Sequence, residues 1–313
     1  MKKPTAISLF AGCGGSDLAL HKRGFNIIWA NDIWGLACEI YRVNIPNARI
    51  VEGDIRTFKD FPKADLLAGC YPCQGYSQGG RRVPQAPINY LYREYDRVLR
   101  IVRPKVFVVE NVSGMTFGKN KILLTNQLYR YRTAGYRVSW EVLDAKDYGV
   151  AQTRRRIFIV GTRSDLGLNY SFPKPTHGPE GKNEYVSQRE VIGHLPHWPK
   201  DGFYTEALHW YYLSRNRRHH WREPSACIVG NWRHVPLHPA SPPLKRLGPD
   251  RWVFARRGKA RRFTYQECAL LQGFPRSWRW TKGNVRDKFQ LIGNAVPPPL
   301  FEAVVAAIPK IWN

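Results

Sequence analysis

Short apolar runs alternate with helical patterns through the first half of the chain. The strand-like runs cover residues 6–10, 26–30, 64–68, 106–109, 137–143 and 157–160. Stretches with the helical spacing of apolar positions lie between them, at residues 17–23, 35–43, 89–101 and 123–133. Strands separated by helices are typical of a mainly parallel sheet with helices on both faces. The pattern therefore predicts a doubly wound α/β domain.

The regular pattern ends near Phe172, and the following sequence is rich in Pro, Gly, His and Trp. Short strand-like pieces remain at residues 226–229 and 252–254, and a helical pattern returns at 264–271. The apolar stretch 299–308 predicts a closing helix that packs on the sheet. We therefore predict one domain from residues 1–185 and 285–313, and a smaller, irregular domain from residues 186–284.

Glycines and acids follow the first three predicted strands. The turn from Phe10 to Gly15, Phe-Ala-Gly-Cys-Gly-Gly, follows a strand and opens a helix, so its backbone is able to approach a ligand. Asp32 ends the second strand and Asp54 the third, and acids at such positions commonly contact a ribose or lie near an adenine. These residues predict a nucleoside-containing cofactor, either a dinucleotide or S-adenosylmethionine.

Cys73 and Glu110 are the candidate catalytic pair. A lone cysteine is most often a small buried hydrophobic residue. Cys73, however, is followed at once by a glycine-rich stretch with Arg81 and Arg82, and a core cysteine does not need a flexible basic loop. Positive neighbours favour the reactive thiolate over a thiol whose ordinary pKa is about 8.5. Glu110 ends an apolar strand and is able to protonate or hydrogen-bond a polar ring, so the pair predicts nucleophilic catalysis.

The charge of the chain is strongly positive, with 49 basic and 24 acidic residues and a formal net charge of +25. Such an excess favours a polyanionic partner, and nucleic acid is the usual one. Residues 197–282 hold 17 Lys or Arg against 5 Asp or Glu, together with seven of the eleven tryptophans. A solvated basic surface over a small Trp-rich core is the plain alternative, but interleaved basic and aromatic residues fit DNA or RNA best.

The remaining composition indicates a soluble, cytoplasmic and nucleoid-associated protein. The six cysteines show no disulfide-type framework, which fits a reducing compartment, although Cys70 and Cys73 leave a redox dithiol open. No apolar run approaches the roughly 18 residues of a membrane span, and the first strand begins too early for a signal peptide.

The spacings of His219, His220, His234 and His238 fit no common zinc site, so no metal is expected.

Six motifs, in order along nearly the whole chain outside residues 197–258, resemble those of the cytosine-C5 DNA methyltransferases of restriction-modification systems. They are the turn 10–15, the Pro-Cys-Gln-Gly-Tyr-Ser loop 72–77, Glu-Asn-Val at 110–112, Gln-Thr-Arg-Arg-Arg at 152–156 with the strand 157–161, Arg-Phe-Thr at 262–264 with Glu267 and Gln-Gly-Phe-Pro at 272–275, and Gln-Leu-Ile-Gly-Asn-Ala-Val-Pro-Pro at 290–298.

The resemblance implies the Rossmann-like fold of S-adenosylmethionine-dependent methyltransferases and a sequence-specific enzyme that methylates C5 of a flipped-out cytosine. Cys73 would form a covalent adduct at C6, while Glu110, Arg154 and Arg156 would contact the ring. S-adenosylmethionine is the implied cofactor, and the residues implied to hold it are Phe10, Ala11, Gly12, Gly14, Gly15, Asp32, Ile33, Asp54, Ile55, Pro72, Asn294 and Ala295.

The resemblance also implies double-stranded DNA as the partner of a monomeric enzyme, with a cognate restriction endonuclease acting separately. Residues 186–284 would form the target-recognition domain. The expected DNA contacts are Ser77, Arg81 and Arg82 in a lid over the flipped base, and Arg215, Arg217, Arg218, Arg233, Arg256 and Arg257 on phosphates or guanine edges.

Three alternatives remain open at this point. A tRNA cytosine methyltransferase would keep the chemistry, but the Cys-Phe-Thr stretch that such relatives carry is missing from the target segment. A non-catalytic DNA-binding relative would be expected to have lost Cys73, Glu110 or Arg156, and all three are present. A nicotinamide-dependent oxidoreductase is suggested by the glycine turn alone.

Overall fold

The computed structural model describes residues 3–72 and 87–312. The chain divides into two compact units. The first, called the sheet unit here, comprises residues 1–143, 155–174 and 300–313, and the second, the recognition unit, comprises residues 144–154 and 175–299. These boundaries differ from the expected domain boundaries, so the functional division at residues 185 and 285 stays a prediction.

The sheet unit is built on a seven-stranded sheet in the order β3-β2-β1-β4-β5-β7-β6. Strands β1 to β5 pair in parallel, while β7 runs antiparallel to β5. The predicted doubly wound, mainly parallel sheet is thereby confirmed. The strands are β1 (Thr5–Leu9), β2 (Asn26–Asp32), β3 (Ile50–Glu52), β4 (Leu66–Gly69), β5 (Val106–Val112), β6 (Tyr136–Asp144) and β7 (Arg155–Arg163).

The central strands are near-continuous apolar runs because helices cover the sheet. Every residue of β4, and every residue of β5 except Val112, is buried. An aromatic cluster of Tyr95, Phe107, Tyr131 and Tyr136 fills one part of this core, with ring centroids 5.0–6.2 Å apart. The helices are α1 (Gly15–Lys22), α2 (Gly35–Asn44), α3 (Tyr92–Val102), α4 (Lys121–Thr133) and α8 (Pro298–Ala306).

The recognition unit has little regular structure among its described residues. It holds a hairpin of β8 (Leu244–Gly248) and β9 (Arg251–Phe254), and the helices α5 (Gln188–Ile192), α6 (Tyr265–Leu271) and α7 (Val285–Asn294). All three helices begin with a capping box, in which a Ser, Thr or Asn side chain and an acid three residues later exchange hydrogen bonds with the backbone. Local sequence therefore fixes where these helices start.

The strand expected at residues 226–229 was wrong. Ser225 makes only an isolated bridge to Gln152, and Ile228 N donates to the side-chain oxygen of Gln152 (2.9 Å) instead of a neighbouring strand. Ile228 is buried by tertiary packing rather than by pairing with a neighbouring strand, and the sequence pattern does not separate these two cases.

Within the described residues, no helix combines the length and the hydropathy that a membrane span requires.

Candidate active site

The strand order brings three predicted site segments to one edge of the sheet. Strands β1, β4 and β5 are parallel neighbours, so their carboxyl ends lie side by side. β1 leads into the turn 10–15, β4 into Cys70, Tyr71 and Pro72, and β5 carries Glu110. In doubly wound sheets, ligands bind at this edge where the strand order reverses, here between β1 and β4. Cys73, Ser77, Arg81 and Arg82 lie outside the described residues.

Glu110 and Arg156 form an ion pair at this edge. Arg156 Nε lies 3.1 Å from Glu110 Oε1, and the two side chains are 14% and 9% exposed. The pair follows from the register of β5 and β7. Glu110 lies opposite Phe158, and Arg156 precedes Phe158 by two residues, so both charged side chains stand on the same face of the sheet. The arginine therefore fixes the position of the acid.

The chain that leads to Cys73 is held by the residue after Glu110. Asn111 Nδ2 donates to the carbonyl of Tyr71 (3.1 Å), and its side-chain oxygen accepts from Val112 N (2.8 Å). The Tyr71 hydroxyl in turn donates to Gln127 and lies 3.2 Å from the Tyr131 hydroxyl. The end of β5 thus positions both the acid and the segment that precedes Cys73, the predicted nucleophile.

Four other thiols are poor nucleophiles. Burial raises the pKa of Cys13 to about 12 and that of Cys38 to about 11. Burial also raises the pKa of Cys70 well above its ordinary value, with a further contribution from the nearby Glu110 charge, and it does the same to Cys268. Because the thiolate is the attacking form, these four cysteines are inert at neutral pH.

The turn after β1 is held open by Asp32. Gly12 N donates to Asp32 Oδ2 (2.8 Å), and Trp34 N donates to Oδ1 (2.9 Å). Burial raises the pKa of this carboxyl. Phe10, Gly12 and Gly14 have φ values of 56°, 57° and 94°, and the positive φ of Phe10 is unusual for a side chain of its size. A Cβ at Gly12 would meet no atom within 4 Å, so the backbone there faces open space.

The ends of β2 and β3 carry the residues expected near an adenosine. Ile33 is 68% exposed and offers an apolar face directly after Asp32. Asp54 accepts hydrogen bonds from Arg56 N and Nε (3.0 Å each), and these bonds lower its pKa. The Ile55 side chain is buried in the core and its carbonyl accepts from Arg97 Nη2 (2.9 Å), so a ligand contact would fall to its backbone N–H. The open turn, the ribose-type acid and the exposed isoleucine fit S-adenosylmethionine.

Asp17 is a buried carboxyl that the sequence did not single out. Its oxygens accept from Ser8 Oγ (2.8 Å), Ser16 Oγ (3.0 Å) and Tyr41 OH (3.0 Å), directly below the glycine turn. Burial raises its pKa from 3.8 to about 6 despite these bonds. Asp17 therefore stabilises the fold when it is protonated, and this contribution is lost as the pH rises from about 4 through 6.

We expect Asp17→Asn to remove this pH dependence. Between pH 7 and pH 5 the free energy of unfolding of the wild type should rise by roughly 1 kcal/mol relative to the variant. Urea unfolding of both proteins at the two pH values measures the difference. Equal pH dependence of the two proteins would contradict a raised pKa at Asp17.

Arg154 lies in the recognition unit and is only 2% exposed. Its Nη1 donates to Ile228 O (2.7 Å), and its Nη2 donates to Gly293 O (2.8 Å) and Ala295 O (3.0 Å). The guanidinium therefore holds the backbone around Asn294, one of the expected cofactor contacts. This geometry favours Arg156 over Arg154 as the arginine that contacts the base, and direct catalysis by Arg154 stays an untested prediction.

Two buried glutamines extend this polar cluster. Gln152 Nε2 donates to Gln272 Oε1 (2.6 Å), and Gln272 Nε2 donates to Ala295 O (2.6 Å). Buried polar groups are costly unless they are paired, so a mutually satisfied cluster specifies one arrangement of its segments. Local sequence does not reveal these contacts, although both glutamines lie within motifs, at residues 152–156 and 272–275.

The predicted DNA-contacting arginines of the recognition unit differ in exposure. Arg218 is half-buried and donates to Ser241 O and Pro239 O (2.8 Å each), and Arg217 Nε donates to Tyr212 O (3.0 Å). These two arginines hold the local backbone. The exposed ones are Arg215, Arg233, Arg256 and Arg257. Among the residues that the structure describes, no group of three His, Cys, Asp or Glu side chains is arranged to hold a metal ion.

Comparison with known proteins settles the family. The model of the C-5 cytosine-specific DNA methylase family matches residues 5–310. The chain belongs to this family. It is accordingly a DNA (cytosine-5-)-methyltransferase, and the family's methyl donor is in general S-adenosylmethionine.

Curated relatives of this methyltransferase match over most of their length. The Type II methyltransferase M.BsuRI of Bacillus subtilis is 37% identical, over 98% of this chain and 79% of the relative. The Type II methyltransferase M.NgoPII of Neisseria gonorrhoeae is also 37% identical, over 97% of this chain and 95% of the relative. Both relatives are named as Type II methyltransferases, the modification enzymes of restriction-modification systems.

Solved structures confirm the fold of the methyltransferase. A DNA modification methyltransferase encoded within an E. coli prophage superposes with a TM-score of 0.73 at 19% identity, over 97% of this chain and 98% of that chain. The Dnmt2 methyltransferase of S. pombe gives a TM-score of 0.69 at 19% identity, with the same coverage. At this identity the likeness shows the fold alone, which is that of the S-adenosylmethionine-dependent methyltransferases.

Proposed function

We propose that this methyltransferase is sequence-specific and transfers a methyl group from S-adenosylmethionine to C5 of a cytosine extruded from duplex DNA, through a covalent Cys73–C6 adduct. The observation that carries the proposal is the Glu110–Arg156 ion pair at the carboxyl end of β5, beside the strand whose end leads into Cys73. A fixed acid at the end of β5, next to the strand β4 that precedes Cys73 in the sequence, suits joint action of the two residues on one planar ring.

The chemistry requires both groups because C5 of cytosine is a poor nucleophile. Addition of the Cys73 thiolate forms an S–C6 bond. The π electrons of the C5=C6 bond shift to the C4–C5 bond, and those of the C4=N3 bond shift to N3, where negative charge develops. Glu110 donates a proton or a hydrogen bond to N3 and contacts the exocyclic amine. The resulting enamine forms the C5–methyl bond as the methyl–sulfur bond of the donor breaks, so that S-adenosylhomocysteine is the leaving group. Loss of the C5 proton to a base then restores the C5=C6 bond and expels the thiolate, while N3 returns its proton to Glu110.

Bound S-adenosylmethionine would supply an electrophilic methyl group, and this chain's own residues would orient it. The glycine turn offers backbone to the methionine portion, Asp32 accepts from the ribose, and Ile33 covers the adenine. Asn294, on the backbone that Arg154 holds, is proposed to lie near the methionine end. Arg154 is thereby assigned a positioning role.

Duplex DNA is the proposed partner, and its cytosine must leave the stack because the ring is out of reach inside a duplex, at a cost of a few kcal/mol. The positive charge of the chain and the exposed arginines of the recognition unit support this assignment. The family model and the related proteins named Type II methyltransferases favour DNA over tRNA as the substrate. The S. pombe Dnmt2 structure supports only the fold and does not bear on the substrate. A separately acting cognate endonuclease is part of the same proposal.

Binding to duplex DNA should weaken steeply as salt rises from about 50 to 200 mM. If about six phosphates are neutralised, the dissociation constant should increase on the order of a thousandfold, because bound Lys and Arg release condensed counterions. Fluorescence anisotropy with a labelled duplex measures the slope. A dissociation constant that does not change with salt would contradict binding of DNA phosphates by the basic surface.

The experiment that tests the proposal is bisulfite sequencing of unmethylated duplex DNA after incubation with the protein and S-adenosylmethionine. Protected cytosines in one short recurring context would establish reaction, substrate and specificity together. The Cys73→Ala variant serves as the matched control and should protect none. Absence of protection by the wild type would refute the proposal, and the same assay on tRNA would then test the alternative substrate.

A further inference from the structure

An exposed aromatic pair stands out in the recognition unit. Trp210 is 81% exposed and Tyr211 is 54% exposed, with ring centroids 5.8 Å apart and planes at 87°. Trp210 is the most exposed large hydrophobic side chain among the described residues. Single exposed apolar residues are common, but an adjacent indole and phenol on one loop present a large apolar area to solvent. We call this pair the aromatic tip.

The backbone beneath the aromatic tip is held from both sides. Arg262 is 4% exposed and donates to Glu206 O (2.7 Å) and Tyr204 O (3.3 Å), just before the tip. Tyr212, directly after the tip, is buried, and its hydroxyl donates to Val235 O (2.7 Å). Its ring lies 4.6 Å from the Arg262 guanidinium. Because the backbone of this loop is already held in place, binding through its aromatic rings costs little loop-ordering entropy.

The surroundings of the aromatic tip are positively charged. The Tyr211 ring lies 5.5 Å from the ring of His234, and burial together with the charges of Arg217, Arg215, Arg262 and Arg233 lowers the pKa of His234. These four arginines therefore lie close enough to His234 to act on its charge, on the side of the tip where Tyr211 lies. Apolar rings in a positive field match a ligand with flat apolar faces on an anionic backbone.

We propose that Trp210, supported by Tyr211, stacks on an unstacked base of the DNA substrate. Bases inside an intact duplex offer no face to a side chain, so the occupant is a base uncovered when the duplex is distorted. This inference deepens the proposed function and rests on it, because extrusion of a cytosine is the event that uncovers such faces. Arginines around the tip would hold the adjacent phosphates.

The test compares dissociation constants of wild type, Trp210→Ala, Trp210→Phe and Trp140→Ala. The probe is a labelled duplex that carries the sequence context found by bisulfite sequencing. Base stacking on an aromatic ring justifies an expected loss of at least about fivefold for Trp210→Ala, with Trp210→Phe close to wild type. Trp140 is 43% exposed on β6 and provides the matched control, which should bind like wild type.

The salt slope separates stacking from phosphate contact. Trp210→Ala should lower affinity at every salt concentration without changing the slope, whereas Arg215→Ala should reduce the slope by about one unit. Wild-type affinity in Trp210→Ala, or an equal loss in Trp210→Phe, would overturn the inference. A wild-type dimer that Trp210→Ala dissociates, seen by light scattering, would assign the tip to self-association instead.

The two proposals fail in different ways. If the wild type methylates DNA and Trp210→Ala binds it equally well, the stacking role fails and the proposed function stands. If the wild type neither binds nor methylates DNA, the proposed function itself fails.

Discussion

Cys73→Ala is expected to abolish methyl transfer while affinity for duplex DNA stays within about threefold of wild type, because the change removes the nucleophile and no positive charge. Without the sulfur no enamine forms at C5, so no second pathway is open to the ring. Transfer of labelled methyl groups to DNA measures the first effect and anisotropy the second. Because Cys13, Cys38, Cys70 and Cys268 are held as thiols by burial, none of these four should take over.

A trapped adduct provides the second readout for Cys73. A duplex with 5-fluorocytosine at the target position cannot lose a proton from C5, so the enzyme should remain covalently attached after methyl transfer. The wild type should give a denaturation-resistant protein–DNA complex, and Cys73→Ala should give none. Cys227→Ala, which changes a half-buried cysteine of the recognition unit, is the matched control. Retained turnover in Cys73→Ala would refute the nucleophile assignment.

Glu110→Gln is expected to lower kcat about 10²- to 10⁴-fold, which is the usual contribution of a positioned general acid. The amide keeps the size of the side chain but has no acidic proton for N3, and its pairing with Arg156 is weaker. The dissociation constant for DNA should change little, since the acid acts on the base after extrusion. Steady-state and single-turnover methylation assays separate the chemical step from binding and release.

Asp165→Asn is the matched control for Glu110→Gln. Asp165 also pairs with an arginine of β7, Arg163 (2.8 Å), but that carboxylate is exposed, so its loss should leave kcat unchanged. Arg156→Gln should reduce kcat as well, and the double variant with Glu110→Gln should be little worse than either single one, because the two residues act as a unit. Turnover of Glu110→Gln within tenfold of wild type would contradict the role of Glu110 as the acid. Fully additive losses of kcat in the double variant would contradict joint action of Glu110 and Arg156.

Much of the sheet unit could be predicted from local sequence because its central strands are buried on both faces. Such strands appear as uninterrupted apolar runs, and polar residues mark their ends. Strand β3 is shorter and formed no separate apolar run, although Asp54 was correctly placed after a third strand. In the recognition unit, the helical pattern at residues 264–271 correctly predicted α6, whereas α7 was missed, and the strand expected at residues 226–229 was wrong.

The candidate catalytic residues could be predicted from the sequence, whereas the contact between Glu110 and Arg156 could not. Cys73 and Glu110 were predicted from their flanking residues, since a thiol in a basic glycine-rich stretch and an acid at a strand end are local signals. The partner of Glu110 required the register of β5 with β7, which local sequence does not contain. Register decides which residues share a face, and it selects Arg156 within the run of three arginines.

The sequence by itself predicted the candidate catalytic residues and determined the strand-helix order, because both depend on residue types and on periodicity over short distances. Only the tertiary structure showed that Arg154 and Gln272 hold backbone around Asn294, that Asn111 anchors Tyr71, and that the aromatic tip is exposed on a fixed loop. These facts depend on contacts between residues far apart in the chain. Burial and hydrogen-bond partners are properties of the packed molecule, so a buried arginine and an exposed arginine look alike in sequence.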